Sequence, residues 1–165
     1  MKSKKITLGL LIFYLIVLAW IIVFKLQFSA RDLPQIRNIN LIPFDQSAIV
    51  NGKIDTSEII LNVLAFIPYG LFINILWEEK SILKQVTLIL GTSFIFELLQ
   101  FIFAVGASDV TDIISNSSGG VIGIIISIMM EKLLRENRIK WINTISTVCA
   151  LVLTALITLL FLANM

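Results

Sequence analysis

The polar residues best suited to chemistry lie in the second half of the chain, within segments that are otherwise strongly apolar. Glu97 and Gln100 occur in one such segment, and Asp109, Asp112 and Asn116 surround the start of the next. Ionisable groups in or beside hydrocarbon are energetically costly, so they are functional-site candidates by default. Two carboxylates can act as general acid and base or hold a hard divalent cation, and amides beside them can bind a polar head group.

Each of these side chains also has a structural interpretation. Asp109 as the N-cap of a helix, with Asp112 three residues later, would satisfy free backbone N–H groups and interact favourably with the helix dipole. Asn116, and Asn62 in an earlier apolar segment, would equally suit hydrogen bonds between helices, as would Glu97. From the residues alone, both a binding or catalytic role and a structural role stay open.

Composition excludes several kinds of site. The chain has no histidine and one cysteine, Cys149, which lies in an apolar run. The usual ligand sets of transition metals are therefore absent, and we predict no metal site and no cofactor. No nucleophile with an evident activating base is present, so the sequence leans away from an enzyme. The 13 Lys and Arg residues, against a net charge of +2, are spread among short connections and indicate no nucleic-acid surface.

The elements that must position these residues are membrane helices. Hydrophobic residues make up 58% of the 165 residues, and the mean hydropathy is +0.97, far above soluble domains. The first apolar run exceeds the length of a signal-peptide core and lacks a cleavage site, so we interpret it as a helix that is retained. The sequence predicts one all-α membrane domain with five transmembrane helices. Their predicted bounds are about 6–24, 58–77, 85–105, 112–130 and 141–162.

Two features predict how the second and fourth helices pack. Pro68 cannot donate to the carbonyl of Leu64, so a kink is expected, with a carbonyl that a neighbouring helix must satisfy. Gly119 and Gly123 form a GxxxG step, which lets another helix approach closely. Both features favour helix packing rather than chemistry.

The connections between the helices carry further predictions. Residues 25–57 form the only long polar connection, and its segment 40–44 is expected to lie against the membrane surface. At its end, Asp55 is predicted as an N-cap and Glu58 as a first-turn acid. Residues 106–111 are predicted to form a turn and residues 132–140 a basic connection.

Basic residues predict the orientation of the helices. Counted over alternate connections, nine Lys and Arg residues fall on the side of the N-terminus and four on the other side. The positive-inside rule then places the N-terminus in the cytoplasm and the C-terminus outside. In this orientation Asn62, Glu97, Asp109, Asp112 and Asn116 converge on the outer leaflet.

The chain resembles the VanZ-like family of bacterial membrane proteins over about residues 40–130. The resemblance rests on an ordered combination of motifs, each of which is weak alone. One departure is that many members carry an Arg shortly before the first Asp of the turn, where this chain has Gly106, Ala107 and Ser108. The motif residues are Asn40–Phe44, Asn62, Phe66, Pro68, Gly70, Glu97, Gln100, Asp109, Asp112, Asn116, Gly119, Gly120 and Gly123.

The resemblance implies a multi-pass protein of the bacterial cell membrane. The founding member is associated with low-level resistance to the glycopeptide antibiotic teicoplanin, and no enzymatic activity is implied. We expect an outer-leaflet pocket that binds a lipid-linked cell-envelope intermediate or an amphiphilic glycopeptide and so contributes to resistance. Membrane lipids are the expected partners. Two alternatives stay open: an enzyme that acts on a lipid through a carboxylate pair, and a small proton- or cation-coupled transporter. Five spans without an inverted repeat suit a transporter poorly, and a homodimer would ease that objection.

Overall fold

Five helices dominate the structure of this protein. The computed structural model describes residues 2–24, 36–44, 49–50, 53–54 and 56–163. Within these residues, five helices are long and apolar enough to cross a membrane, as predicted. They are α1 (Lys2–Ile22), α2 (Ser57–Leu76), α3 (Ile82–Phe103), α4 (Val110–Leu134) and α5 (Arg138–Ala163), and a 3-10 turn (Arg135–Asn137) joins the last two.

Short strands make the all-α prediction wrong in detail. β1 (Ile36–Asn40) pairs in parallel with β4 (Val105–Asp109), and β2 (Ile49–Val50) pairs in antiparallel fashion with β3 (Lys53–Ile54). The predicted turn at residues 106–111 is therefore mostly strand β4. Parallel strands need a long crossover connection, and α2 with α3 supplies it between β1 and β4. The rest of the predicted loop 25–57, including Asp55, lies largely outside the described residues; the N-cap of α2 is Thr56.

The most extensive helix contact joins α2 to α4, and it brings backbone against backbone. A Cβ atom added at Gly119 would collide with the carbonyl oxygen of Val63, and one added at Gly70 would collide with that of Gly120. Glycine is therefore required on both helices for this approach. The contact confirms that the GxxxG step is a packing feature, and it fixes α2 beside the first turns of α4.

α2 continues through Pro68, and α1 donates a hydrogen bond to a carbonyl of the preceding turn, though not to the one predicted. The hydroxyl of Tyr14 in α1 donates to the carbonyl oxygen of Ala65 at 2.6 Å. The carbonyl that is satisfied is thus that of Ala65, one residue after Leu64. This bond ties α1 to the middle of α2.

The two ends of the helix bundle differ in chemistry. The loop end contains β1, β4 and the first turn of α4. At the other end, the basic end, Arg138 is only 2% exposed and its Nη atoms lie 3.2 Å from Glu78 Oε1 and 2.8 Å from Glu131 Oε2. Lys4 Nζ lies 3.3 Å from Glu78 Oε2. The predicted basic connection 132–140 is instead helical, and Arg138 turns inward to contact Asn74 of α2 and Glu131 of α4.

We predict that Gly119→Ala destabilises the protein by about 1–3 kcal/mol, because the added methyl group meets the backbone of α2. The control is Gly9→Ala in α1, where an added Cβ meets no atom within 4 Å. That change should be neutral or slightly stabilising, since alanine favours helix over glycine. Thermal unfolding in detergent micelles measures both. Equal unfolding temperatures for the two variants would contradict the packing of α2 on α4.

Candidate functional site

Asp109 organises the loop end of the bundle. It is the N-cap of α4, as predicted, and its Oδ1 accepts a hydrogen bond from the backbone N–H of Thr111 at 2.7 Å. Its Oδ2 accepts from Asn40 Nδ2 at 3.0 Å, and Asn40 and Asp109 are also partners in the register of β1 and β4. One buried carboxylate therefore both caps α4 and fixes the end of the sheet.

Glu97 holds the same N-cap from the neighbouring helix. Its Oε2 accepts a hydrogen bond from the backbone N–H of Asp109 at 2.9 Å, and Ser108 Oγ donates to its carbonyl oxygen at 2.8 Å. In a capping box a glutamate three residues into a helix satisfies the N-cap N–H. Here the glutamate comes from α3 instead. Glu97 is 4% exposed, and the hydrogen bond from Asp109 gives its Oε2 a structural role.

A second carboxylate and amide pair joins α2 to α4. Asn62 Nδ2 donates to Asp112 Oδ1 at 2.8 Å, and both side chains are buried. The pair sits one turn into α2 and one turn into α4. The two residues come together because glycines further along allow the two backbones to meet.

A small cavity opens beside this pair. Its volume is about 170 Å³, and α1, α2, α3 and α4 all contribute to its wall. The polar wall consists of Asn62, Gln100, Asp112 and Glu58, and the apolar wall consists of Ile21, Ile22 and Leu61. At roughly 30 Å³ for one water in the liquid, the volume suits a group the size of a sugar ring or an alkylammonium chain, but not a whole antibiotic.

Gln100 is a residue of the cavity wall with a buried side-chain amide. Its Nε2 donates to the carbonyl oxygen of Ile22 at 2.9 Å, which fixes the amide orientation. Its Oε1 is buried and accepts no hydrogen bond from the residues that the structure describes. A buried acceptor without a donor costs about 1–3 kcal/mol.

The six predicted site residues divide into two groups. Asn62, Gln100 and Asp112 line the cavity, whereas Glu97, Asp109 and Asn116 do not appear in its wall. Asn116 is fully buried, and its Nδ2 donates to Ser93 Oγ at 3.0 Å between α4 and α3. The residues of the second group hold neighbouring helices together. Those helices in turn carry the residues of the first group to the cavity.

Sequence reasoning missed the three apolar residues of the wall and one polar residue, Glu58. Glu58 was interpreted only as a first-turn acid of α2, but it also lines the cavity. The signal was its spacing, because Glu58 lies four residues before Asn62 and therefore on the same face of α2. With Asp112, it gives the cavity two carboxylates and no cation among the lining residues. The wall therefore favours amines and hydroxyl groups over phosphates.

The segment that follows β1 is anchored to the same first turn of α4. Thr111 Oγ1 accepts from the backbone N–H of Phe44 at 3.0 Å, and Asn40 Oδ1 accepts from that of Ile42 at 3.1 Å. Phe44 adopts a φ of 64°, which is uncommon for an aromatic residue. These bonds hold the exposed side chains of Leu41, Ile42 and Phe44 at the level of the α4 N-terminus.

The family model VanZ/LLP1 matches residues 11–131 of the chain. The chain belongs to the VanZ/LLP1 family. Protein VanZ of Enterococcus faecium is similar to it, with 39% identity over 124 residues, which are 74% of this chain and 73% of that protein. No solved structure matches this chain significantly.

The VanZ/LLP1 match contains every residue that lines the cavity, from Ile21 to Asp112. It ends before α5, which lies outside the family region. With five helices able to span a membrane and a bacterial relative, the chain is a multi-pass protein of the bacterial cell membrane. Residues 106–108 lack an arginine; Arg37 is the partner of Gly106 in the β1–β4 register, and its guanidinium donates to the carbonyl oxygen of Ile102 at 3.3 Å.

We predict that Glu97→Ala destabilises the loop end, because the N–H of Asp109 loses its acceptor. The expected cost is about 1–3 kcal/mol for a buried donor left without a partner. Glu97→Gln should cost less, since the amide oxygen can still accept the hydrogen bond. Glu79→Ala, at an exposed position, serves as the control. Thermal unfolding and amide hydrogen exchange measure the effect, and wild-type exchange at Asp109 in the Glu97→Ala variant would contradict the assignment.

Proposed function

We propose that this VanZ/LLP1 protein binds the amine- or hydroxyl-bearing part of an amphiphile in the cavity at its loop end. The amphiphile is a lipid-linked cell-envelope intermediate or a lipoglycopeptide such as teicoplanin, and binding contributes to glycopeptide resistance. The observation that carries the proposal is the composition of the wall. Two carboxylates and two amides face three apolar side chains across about 170 Å³.

The polar wall determines which part of the ligand enters. Glu58 and Asp112 attract an ammonium group or accept from sugar hydroxyls, and the buried Oε1 of Gln100 adds an acceptor. Charge-assisted hydrogen bonds of this kind are about twice as strong as neutral ones. A phosphate or diphosphate would face two like charges, so it stays outside the cavity.

The apolar wall determines where the rest of the ligand lies. Leu61 of α2 is 64% exposed, and Ile21 and Ile22 come from the end of α1. These side chains extend the cavity wall toward the lipid-facing surface of the helices. A hydrocarbon tail therefore stays in the membrane between α1 and α2 while the polar head reaches Gln100 and Asp112.

The proposed membrane orientation places the loop end of the bundle, with its cavity, on the outer side of the cell membrane. It follows from the excess of Lys and Arg on the side of the N-terminus, which the positive-inside rule assigns to the cytoplasm. The basic end, with Lys4 and Arg138, is then cytoplasmic. Glycopeptides and completed lipid-linked precursors act outside the cell membrane, so an outward cavity would meet them there.

We predict that Asp112→Asn weakens binding of a fluorescent teicoplanin to the protein in lipid nanodiscs by about 10–100-fold. This range corresponds to the loss of one charged hydrogen bond, about 1.5–3 kcal/mol. Asparagine still accepts the hydrogen bond from Asn62, so the α2–α4 contact is retained. Gln100→Leu should weaken binding as well, while Glu79→Gln is the control at an exposed site.

The same variants should lower teicoplanin resistance in cells at unchanged protein level. Wild-type affinity and resistance for both Asp112→Asn and Gln100→Leu would overturn the proposed cavity. Binding of a lipid-linked precursor, but not teicoplanin, to the wild-type protein would select the first of the two ligand classes.

A second candidate function is an enzyme acting on a lipid or lipid-linked substrate. Its support is that Glu58 and Asp112 line one cavity, and two carboxylates can serve as acid and base. Formation of a reaction product would distinguish this function from binding alone. Purified protein incubated with candidate lipids would convert them, and Glu58→Gln would abolish conversion while leaving lipid binding detectable.

The orientation has its own test. An alkaline phosphatase fused after Met165 should be active, because α5 runs from the basic end toward the outer face. A green fluorescent protein fused at the same position should stay dark. The opposite pair of results would place the cavity on the cytoplasmic side.

A further inference from the structure

A groove runs along α3 at the basic end of the bundle, far from the cavity described above. Its volume is about 440 Å³. The lining residues of α3 follow a single helical stripe from Lys84 to Ile95, which corresponds to about 16 Å of helix. A Cβ added at Gly91, in the middle of the stripe, would meet no atom within 4 Å. The groove is therefore open at its middle. Its lining residues are Trp77, Lys84, Thr87, Leu88, Gly91, Thr92 and Ile95.

The two parts of the groove differ in polarity. Lys84 lies in the first turn of α3, and among the described residues no carboxylate forms an ion pair with it. Trp77, which is 40% exposed, lies at the same end. Further along, the hydroxyl groups already have partners. Thr87 Oγ1 donates to the carbonyl of Leu83 at 2.9 Å, and Thr92 Oγ1 to that of Leu88 at 3.0 Å. Beyond Lys84 the groove thus offers a ligand an apolar surface.

We propose that this groove binds one anionic phospholipid. Its phosphate lies at Lys84 beside the indole of Trp77, and one acyl chain passes over Gly91 toward Ile95. Cations and tryptophan at helix ends are typical of the head-group level of a bilayer. A hydrocarbon chain fits the apolar part of the groove without leaving a polar group unsatisfied.

A second copy of the chain suits the groove less well. Two membrane proteins that pair symmetrically through the same stripe place equivalent residues opposite each other. The two Lys84 side chains would then face one another, and like charges at an interface are unfavourable. An anionic lipid instead supplies the complementary charge.

Native mass spectrometry of the full chain with phosphatidylglycerol and phosphatidylcholine tests the proposal. The wild-type protein should retain one phosphatidylglycerol in preference to phosphatidylcholine. Gly91→Leu fills the groove and should remove that bound lipid. Gly9→Leu is the matched control, since Gly9 is also a helical glycine with no atom near an added Cβ. It should retain the lipid.

A charge variant separates the head group from the chain. Lys84→Gln should lower the preference for phosphatidylglycerol about fivefold, in line with one cation at a membrane surface. Lys140→Gln, at another exposed position of the basic end, should leave the preference unchanged. Inorganic phosphate should not displace the lipid, because the acyl chain contributes to binding.

Three results would overturn the proposal. The first is equal retention of phosphatidylglycerol by the wild type, Gly91→Leu and Lys84→Gln. The second is binding of inorganic phosphate in place of lipid. The third is a dimeric mass for the wild type that Gly91→Leu converts to a monomer, which would assign the groove to a second copy.

Discussion

The close contact between the backbones of α2 and α4 is the constraint on which the loop-end structure depends. Lipid tails are as apolar as leucine, so helices in a membrane gain little from burying apolar side chains against each other. Gly70, Gly119 and Gly123 instead let peptide groups touch, and the attraction comes from dense packing. This approach brings Asn62 within hydrogen-bonding distance of Asp112, and the cavity forms beside that pair. Larger residues at these positions would separate the two amide and carboxylate side chains.

Two layers of polar residues follow from this arrangement. One layer, of Glu97, Asp109 and Asn116, exchanges hydrogen bonds with backbone and side chains of α3, α4 and β1. The other layer, which includes Gln100 and Asp112, reaches the cavity. From the sequence alone, Glu97 suited either a binding role or hydrogen bonding between helices. Its position against the N-cap of α4 gives it the part of positioning the site.

Sequence patterns predicted the helices and the polar cluster because both features depend on residues that lie close together in the sequence. Twenty apolar residues in succession specify a membrane span whatever lies elsewhere, and a carboxylate within such a span stands out. The pairing of β1 with β4 has no such local signal, since Asn40 and Asp109 are 69 residues apart. Val105–Asp109 also lacks the alternation typical of strands. Arg138 was missed for a related reason, because a basic residue between two spans is usually solvated, and only the fold turns it inward.

The separation along the chain of the residues that form the site also governs how the protein is made. Asn62 and Asp112 are 50 residues apart, and all of α3 is synthesised between them. At bacterial translation rates that interval lasts roughly 3–10 s. During this interval α2 has been synthesised but α4, which packs against it through glycines, has not. Strand β1 likewise has no β4 to pair with. The nascent protein therefore carries the Asn62 side chain in α2 without its partner Asp112 until α4 has been synthesised.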